Sequence, residues 1–238
     1  MSLIMPAYFN ARDTDFYVTD FAEYPVGAPP ANWSKRWATA HYDATVETSA
    51  GSFSGKALRF NITTINGLGL FSWDRVPLAA DFEILTRSRM LTAPATITVI
   101  SRPAGRAGGG IGTENAYSNP AFYHTSSATD WRVQTSKMVA GTSTIINGPG
   151  DGLGPLIAAT APSVWIWNRF RVQGTNVQRR GWQQGTAEPG TWDNIIVDAS
   201  LPAAGWIGDY VADSLVSMRE TDFFAVALKG KTAPSVRK

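Results

Sequence analysis

Residues 164–192 read VWIWNRFRVQGTNVQRRGWQQGTAEPGTW, and this stretch decides the fold. Trp165, Trp167, Arg169 and Arg171 fall on one side of the run, and Ile166, Phe170 and Val172 on the other. A period of two is that of a β-strand, whose successive side chains point to opposite faces. The run turns at Gly174-Thr175-Asn176 and resumes, which makes a hairpin. Trp182, Glu188, Pro189 and Trp192 then stand on either side of a short Gly/Gln turn. Pro189 holds Glu188 in an extended approach, so Trp192 reads as a plug under the hairpin loop rather than an exposed platform.

The same period recurs on both sides of the hairpin. In GKALRFNI (55–62), Leu58, Phe60 and Ile62 oppose Ala57, Arg59 and Asn61. In DFEILTRSRM (81–90), Phe82, Ile84, Thr86 and Ser88 oppose Glu83, Leu85, Arg87 and Arg89. LGLFSW, ATITVISRP, AGWIGDYV and TDFFAVAL continue the series, and AFYHTS with DWRVQTSKM reads as a hairpin across Ala128-Thr129. Twenty-two Gly and 14 Pro among nine Trp, seven Tyr and eleven Phe describe short strands and many turns, so the chain is all-β. Only Leu78–Ala80 and Ile157–Ala161 allow helical turns, and nearby prolines break both. The glycine-rich GRAGGGIGTEN (105–115) and NGPGDGLGP (147–155) are expected to be flexible loops within one domain. Residues 1–20 read as an N-terminal arm, 21–230 as the domain and 231–238 as a basic tail. Neither end alternates, so both are expected to contact other chains.

Composition removes several function classes. The chain has 238 residues and no cysteine, which excludes disulfides and thiolate metal sites. A net charge of +2 with 17% charged residues is too balanced for a nucleic-acid surface. No window approaches the roughly 20 apolar residues of a membrane span. MSLIMPAYFNARDTD has neither the basic nor the apolar part of a signal peptide, so synthesis in a cytoplasm is expected.

The hairpin ending in Trp182, followed by Glu188-Pro189-x-x-Trp192, resembles the late hairpin of concanavalin A-like (laminin G/glucanase-type) jelly-roll domains, as found in bacteriophage virion proteins. DFAEYPVGAPPANWSKRW (20–37) and DFFAVALKGKTAP (222–234) resemble the opening and the last strand of the same domains. The resemblance implies a two-sheet antiparallel jelly-roll sandwich. It also implies a virion structural protein (a tail, fibre or head-decoration component) that presents a lectin-like domain. Its partners would then be other virion proteins, copies of itself and host-surface glycan. Two rival readings stand beside it: a hydrolase or lyase that depolymerises polysaccharide, and an assembly scaffold with its sugar cleft closed. A filled concave face argues scaffold, an open aromatic groove lectin, and facing carboxylates enzyme.

Residues for chemistry are few. Laminarinase-type glucanases on this fold use Glu-x-Asp-x-x-Glu on one strand, with a bulge bringing the third carboxylate to the face of the first two. Glu220 and Asp222 match the first two positions, but the third is Ala225, so no catalytic residue is assigned. The strand reads as a terminal, edge strand. GRAGGGIG lacks the Gly-Lys-Ser/Thr ending of a phosphate loop, and no Gly-x-Ser-x-Gly elbow occurs. His41 and His124 stand alone, and Asp151 lacks the repeated Asp/Asn of a calcium loop, so no cofactor is assigned. The resemblance leaves room for a single rim calcium.

The candidate carbohydrate-binding face consists of Trp165, Trp167, Arg169 and Arg171, with Arg87 and Arg89. Indoles stack on pyranose rings and arginines pair with the carboxylates or phosphates of acidic glycans. The competing reading buries this face and pairs its arginines with Glu83 or Glu188.

Overall fold

The alternation in β6 (Phe82–Met90) and β15 (Ile166–Gln173) sets the layers. These strands pair antiparallel, Ile84 opposite Phe170 and Arg87 opposite Trp167. Phe82, Ile84, Phe170 and Val172 enter the main apolar core, whereas Leu85 and Trp167 join a separate cluster on the opposite face. The computed structural model describes residues 14–37, 40–64, 69–91, 97–124, 130–147, 156–158, 164–211 and 217–234.

Two large antiparallel sheets and one small one account for the strands. The first contains β1 (Phe16–Thr19), β3 (Tyr42–Thr48), β4 (Lys56–Ile62), β16 (Asn176–Gln183), β17 (Asn194–Val197) and β19 (Met218–Leu228) together with β6 and β15. Its order is β17-β16-β15-β6-β19-β4-β3, and β1 pairs with the later half of β19. The second contains β2 (Trp33–Arg36), β5 (Gly69–Trp73), β8 (Pro103–Gly108), β9 (Asn115–Ser118), β12 (Ser136–Val139), β13 (Thr142–Ile145) and β18 (Trp206–Val211). It runs β13-β12-β9-β8-β18-β5-β2. The small sheet is β14 (Leu156–Ala158), β11 (Asp130–Val133), β10 (Ala121–His124) and β7 (Ile97–Ser101), in that order. Among the described residues there is no helix. The protein is an all-β, two-sheet antiparallel jelly-roll sandwich.

The main core lies between the large sheets. Trp33 stacks on Trp73 and on Phe71 at 5.4 Å and meets Phe224 edge-on at 5.3 Å. Offset and edge-on ring pairs of this kind add to the apolar burial itself. Tyr117, fully buried on β9, donates its hydroxyl hydrogen to Asp198 Oδ1 at 2.6 Å. Burial first, and the Asp198 carboxylate second, push this hydroxyl up to about 12. The folded chain thus holds the proton more tightly than the unfolded chain. Stability from this group is complete below pH of about 10 and is lost as the pH rises towards 12. The destabilisation caused by Tyr117→Phe should therefore shrink across that window, which urea midpoints measured at a series of alkaline pH values would check.

Several sequence expectations change. The glycine-rich run at 105–115 is a strand and a tight turn, not a long loop. Ala104 and Ala107 of β8 pack with Trp37 and Tyr210, and Gly105 lies under Phe82, where a β-carbon would meet the ring at 2.2 Å. The small residues permit a close approach rather than motion. AFYH and DWRV do pair antiparallel as β10 and β11, as the hairpin reading expects, but SKM belongs to β12 of the seven-stranded sheet. Leu78–Ala80 is an extended segment bridged from Ala79 to Gly205, and residues 156–158 form β14, so neither helical turn forms there. Residues 159–161, 125–129 and 148–155 lie outside the described residues. NIIV (194–197), unread in the sequence, is the edge strand β17.

The ends also differ from expectation where they are described. Phe16–Thr19 pairs with β19 of the same sheet, and Thr232 and Ala233 lie against β15 and β6. Their contacts come from backbone pairing and arginine donors, which no side-chain alternation announces. Residues 1–13 and 235–238 lie outside the described residues.

Candidate functional site

The face of the eight-stranded sheet turned away from the core carries the residues singled out for chemistry. β19 lies in the middle of this sheet, between β6 and β4, and is not an edge. Its register with β6 shifts between Thr221 and Phe223. That bulge places Glu220, Asp222, Phe223 and Ala225 on the outer face, the arrangement that the Glu-x-Asp-x-x-Glu pattern requires. Ala225 itself is fully buried in an apolar cluster with Leu85, Phe223 and Trp167.

Both carboxylates are fully buried and committed to arginines. Glu220 Oε1 accepts from Arg59 Nε and Nη2 at 3.1 and 2.7 Å. Its Oε2 accepts from Arg89 Nε and Nη2 at 3.0 and 2.8 Å and from Ser49 Oγ at 2.7 Å. Asp222 takes both Arg87 Nε (2.8 Å) and Arg87 Nη2, and the Phe53 N–H at 2.9 Å. Burial raises the Asp222 carboxyl above its usual range, with Arg87 pulling the other way. Both carboxylates are thus taken up by arginine donors of the chain itself.

A second network surrounds Glu83, also fully buried. It pairs with Arg169 and Arg171 and accepts the Ala233 N–H at 3.0 Å. Arg169 in turn donates to the Ala233 carbonyl at 2.9 Å and to Glu188 Oε2 at 3.0 Å. Arg180 pairs with Glu188, and Arg171 donates to Thr232 Oγ1 at 2.9 Å. Trp192, half-buried, sits under the guanidiniums of Arg180 (4.7 Å) and Arg171 (5.1 Å). The signature hairpin thus supplies Glu188 as a clamp and Trp192 as its packing partner. Trp182 stacks on Trp167 at 5.9 Å.

The sequence-chosen residues therefore share one face, in two groups. Arg87 lies over the rings of Phe53 (3.6 Å) and Trp165 (4.7 Å), and Arg89 lies over Trp165 at 4.5 Å. Trp167 donates its indole N–H to Gln184 Oε1 at 2.7 Å. Arg169 and Arg171 gather around Glu83. Trp165 is 8% exposed and Trp167 7%, so neither leaves a ring face open for a pyranose. The loop at 49–54, the loop at 184–192 and the chain end at 232–233 supply the covering contacts. Sequence reasoning missed Arg59, Phe53 and Ala233. It also missed that Arg87-x-Arg89 faces Glu220-x-Asp222, although two pairs of opposite charge at a spacing of two were a readable sign of adjacent strands.

Metal sites fare no better on this face. Among the described residues no three His, Asp or Glu side chains gather as a metal group. Asp151 lies outside the described residues.

No protein-family model matches the chain, and no curated protein does. Solved structures do, at the level of fold. A conserved carbohydrate esterase from Shiga toxin-encoding bacteriophage phi24B has a TM-score of 0.54 and 16% identity, over 84% of this chain and 91% of that one. The exoplasmic/lumenal domain of VIP36, in its Ca2+/Man3GlcNAc-bound form, has a TM-score of 0.53 and 10% identity over 92% and 90%. The xylan beta-1,4-xylosidase of Bacillus halodurans C-125 has a TM-score of 0.52 and 12% identity over 88% of this chain. The match spans only 38% of the xylosidase.

Proposed function

We infer that this chain is a structural component of a bacteriophage particle, a tail, fibre or head-decoration protein, whose jelly roll acts in assembly. The observation that carries this reading is the filled outer face. The groove that a lectin or glucanase on this fold would use is occupied by six arginines, four carboxylates and the chain's own loops and end. The phage setting rests on the resemblance of the signature hairpin and is supported by the shared fold of the phage phi24B esterase. Among the described residues, two outer strands of the large sheets carry exposed apolar side chains that would serve association. Ile195 and Val197 of β17 are 56% and 75% exposed, and Ile145 of β13 is 57% exposed. Exposed apolar edge strands invite pairing with another chain.

The test is the composition of purified particles. Peptides of this chain should appear in fixed ratio to the major capsid or tail proteins, and antibody should decorate one particle region by electron microscopy. A lysate in which the chain stays apart from particles would overturn the assignment. The enzyme and lectin readings are tested on the isolated protein against glucans, xylans and alginate. We expect no release of reducing ends and no saturable binding. Hydrolysis abolished by Glu220→Gln would establish the enzyme reading, and glycan binding lost in Trp165→Ala or Trp167→Ala the lectin reading.

A further inference from the structure

β17 ends the eight-stranded sheet, and among the described residues its one strand partner is β16. Its sequence is NIIV, with no charge and no proline. Sheets commonly blunt such an edge with charged side chains, proline, a bulge or a covering loop. The opposite flank of this molecule does so. β3 carries Asp43 and Glu47, and the chain at 27–28 bonds along it, Gly27 N–H to Val46 O at 2.8 Å and Val46 N–H to Ala28 O at 2.9 Å. β2, last in the seven-stranded sheet, carries Lys35 and Arg36. Among the described residues β17 has none of these devices. Ile196 packs against the main core, while Ile195 and Val197 stand exposed on the outer face.

The backbone of β17 is oriented for a partner. Asp198 donates its N–H to Thr175 O at 2.9 Å, on the β16 side. Successive residues of a strand turn their N–H and C=O to alternate sides, so those of Val197 and Ile195 point away from β16. Asp198 is itself clamped: its carboxylate accepts from Tyr117, from Lys137 and from the Ser200 N–H at 2.8 Å. The edge is thus fixed before a partner arrives, which lowers the ordering cost of association. Turned about a two-fold axis at Ile196, the strand complements itself. Ile195 then lies opposite Val197 of the second copy and exchanges main-chain bonds with it, and the symmetric pair does the same. The two exposed side chains meet as β-branched cross-strand pairs, and no charge of the strand is buried. Two-fold contacts of like with like are the commonest form of assembly. We propose that this chain forms a homodimer by antiparallel pairing of β17 with β17 of a second copy, joining two eight-stranded sheets into one. The proposal rests on the assembly reading and names its partner. Particle composition tests that reading and the mass of the isolated protein tests this one, so the two can fail separately.

Sedimentation equilibrium of the full-length protein over the micromolar to millimolar range should show a monomer–dimer equilibrium. Val197→Pro removes an outward N–H and leaves the bonds to β16 in place, a change that edge strands tolerate. Each substitution acts twice across the two-fold, so the dissociation constant should rise about tenfold or more. Ile195→Lys should do the same by setting an ammonium on each paired edge. Val26→Lys, a like change at an exposed apolar residue on the flank of β3, should leave the dimer as it is. In the parent protein, amide exchange at Ile195 and Val197 should slow as the concentration rises. Should Val197→Pro fail to fold, Ile195→Lys carries the same test. A monomer throughout the range, a dimer that survives Ile195→Lys, or a dimer lost in Val26→Lys would overturn the proposal.

Discussion

Arg87→Ala is expected to lower stability by about 3–5 kcal/mol, the cost of leaving one partner of a buried ion pair uncompensated. For a domain of this size that corresponds to a fall in melting temperature on the order of 10 °C. Asp222 is fully buried, and its carboxyl is already raised by burial, so losing the guanidinium removes the main force that keeps it ionised. The same substitution removes donors to Gly51 O at 3.1 Å and Gln184 Oε1 at 3.2 Å, and the stacking on Phe53. These contacts help hold the loop at 49–54 to the sheet, together with the Phe53 N–H on Asp222 and Ser49 Oγ on Glu220. Thermal and urea denaturation of Arg87→Ala, Asp222→Ala and the double variant would measure the coupling. The double variant should be less destabilised than the sum of the two. A loss under about 1 kcal/mol in Arg87→Ala would show that Asp222 is neutral in the fold and that the pair contributes little.

The layers of the fold were legible because two-residue alternation is a local property. In β4, β6 and β15 it assigned every inward and outward side chain as the structure has them. The bulge in β19 was not read from the sequence, because with Ala225 in the third position no carboxylate marks the change of face. What the sequence did not show is which strands are neighbours. TDFFAVAL comes last among the strands and was read as an edge, yet it pairs with β6 on one side and β4 and β1 on the other. Strand order in a jelly roll follows from long-range crossovers that leave no local trace. The glycine-rich β8 was misread for a related reason. Gly105 is small because Phe82 lies against it, a contact between residues from different sheets. The candidate face suffered from the same gap. Its four arginines and two tryptophans do share one face, but their pairing with Glu220, Asp222, Glu83 and residues 232–233 depends on tertiary contacts.

Glu83→Ala is the second substitution expected to have a large effect, again about 3–5 kcal/mol. Glu83 is fully buried and binds three groups at once: Arg169, Arg171 and the Ala233 N–H. Arg169 is 2% exposed, and without Glu83 its remaining anionic partner is Glu188, which is itself shared with Arg180. A positive charge then stays buried against half its former compensation, and the cost follows from desolvation rather than from the lost contact alone. The chain end should respond first. Ala233 is held by its N–H on Glu83 and its carbonyl on Arg169, so the variant should release residues 232–234 from the outer face before the sheet unfolds. Hydrogen exchange at Ala233 should accelerate many-fold while exchange on β15 and β19 follows the global stability. Glu83→Gln keeps an acceptor for Ala233 and should restore part of that protection without restoring the charge balance. If exchange at Ala233 matches the parent protein in Glu83→Ala, the chain end is held by packing on Leu85 and Ala227, and the arginine ladder does not close the face.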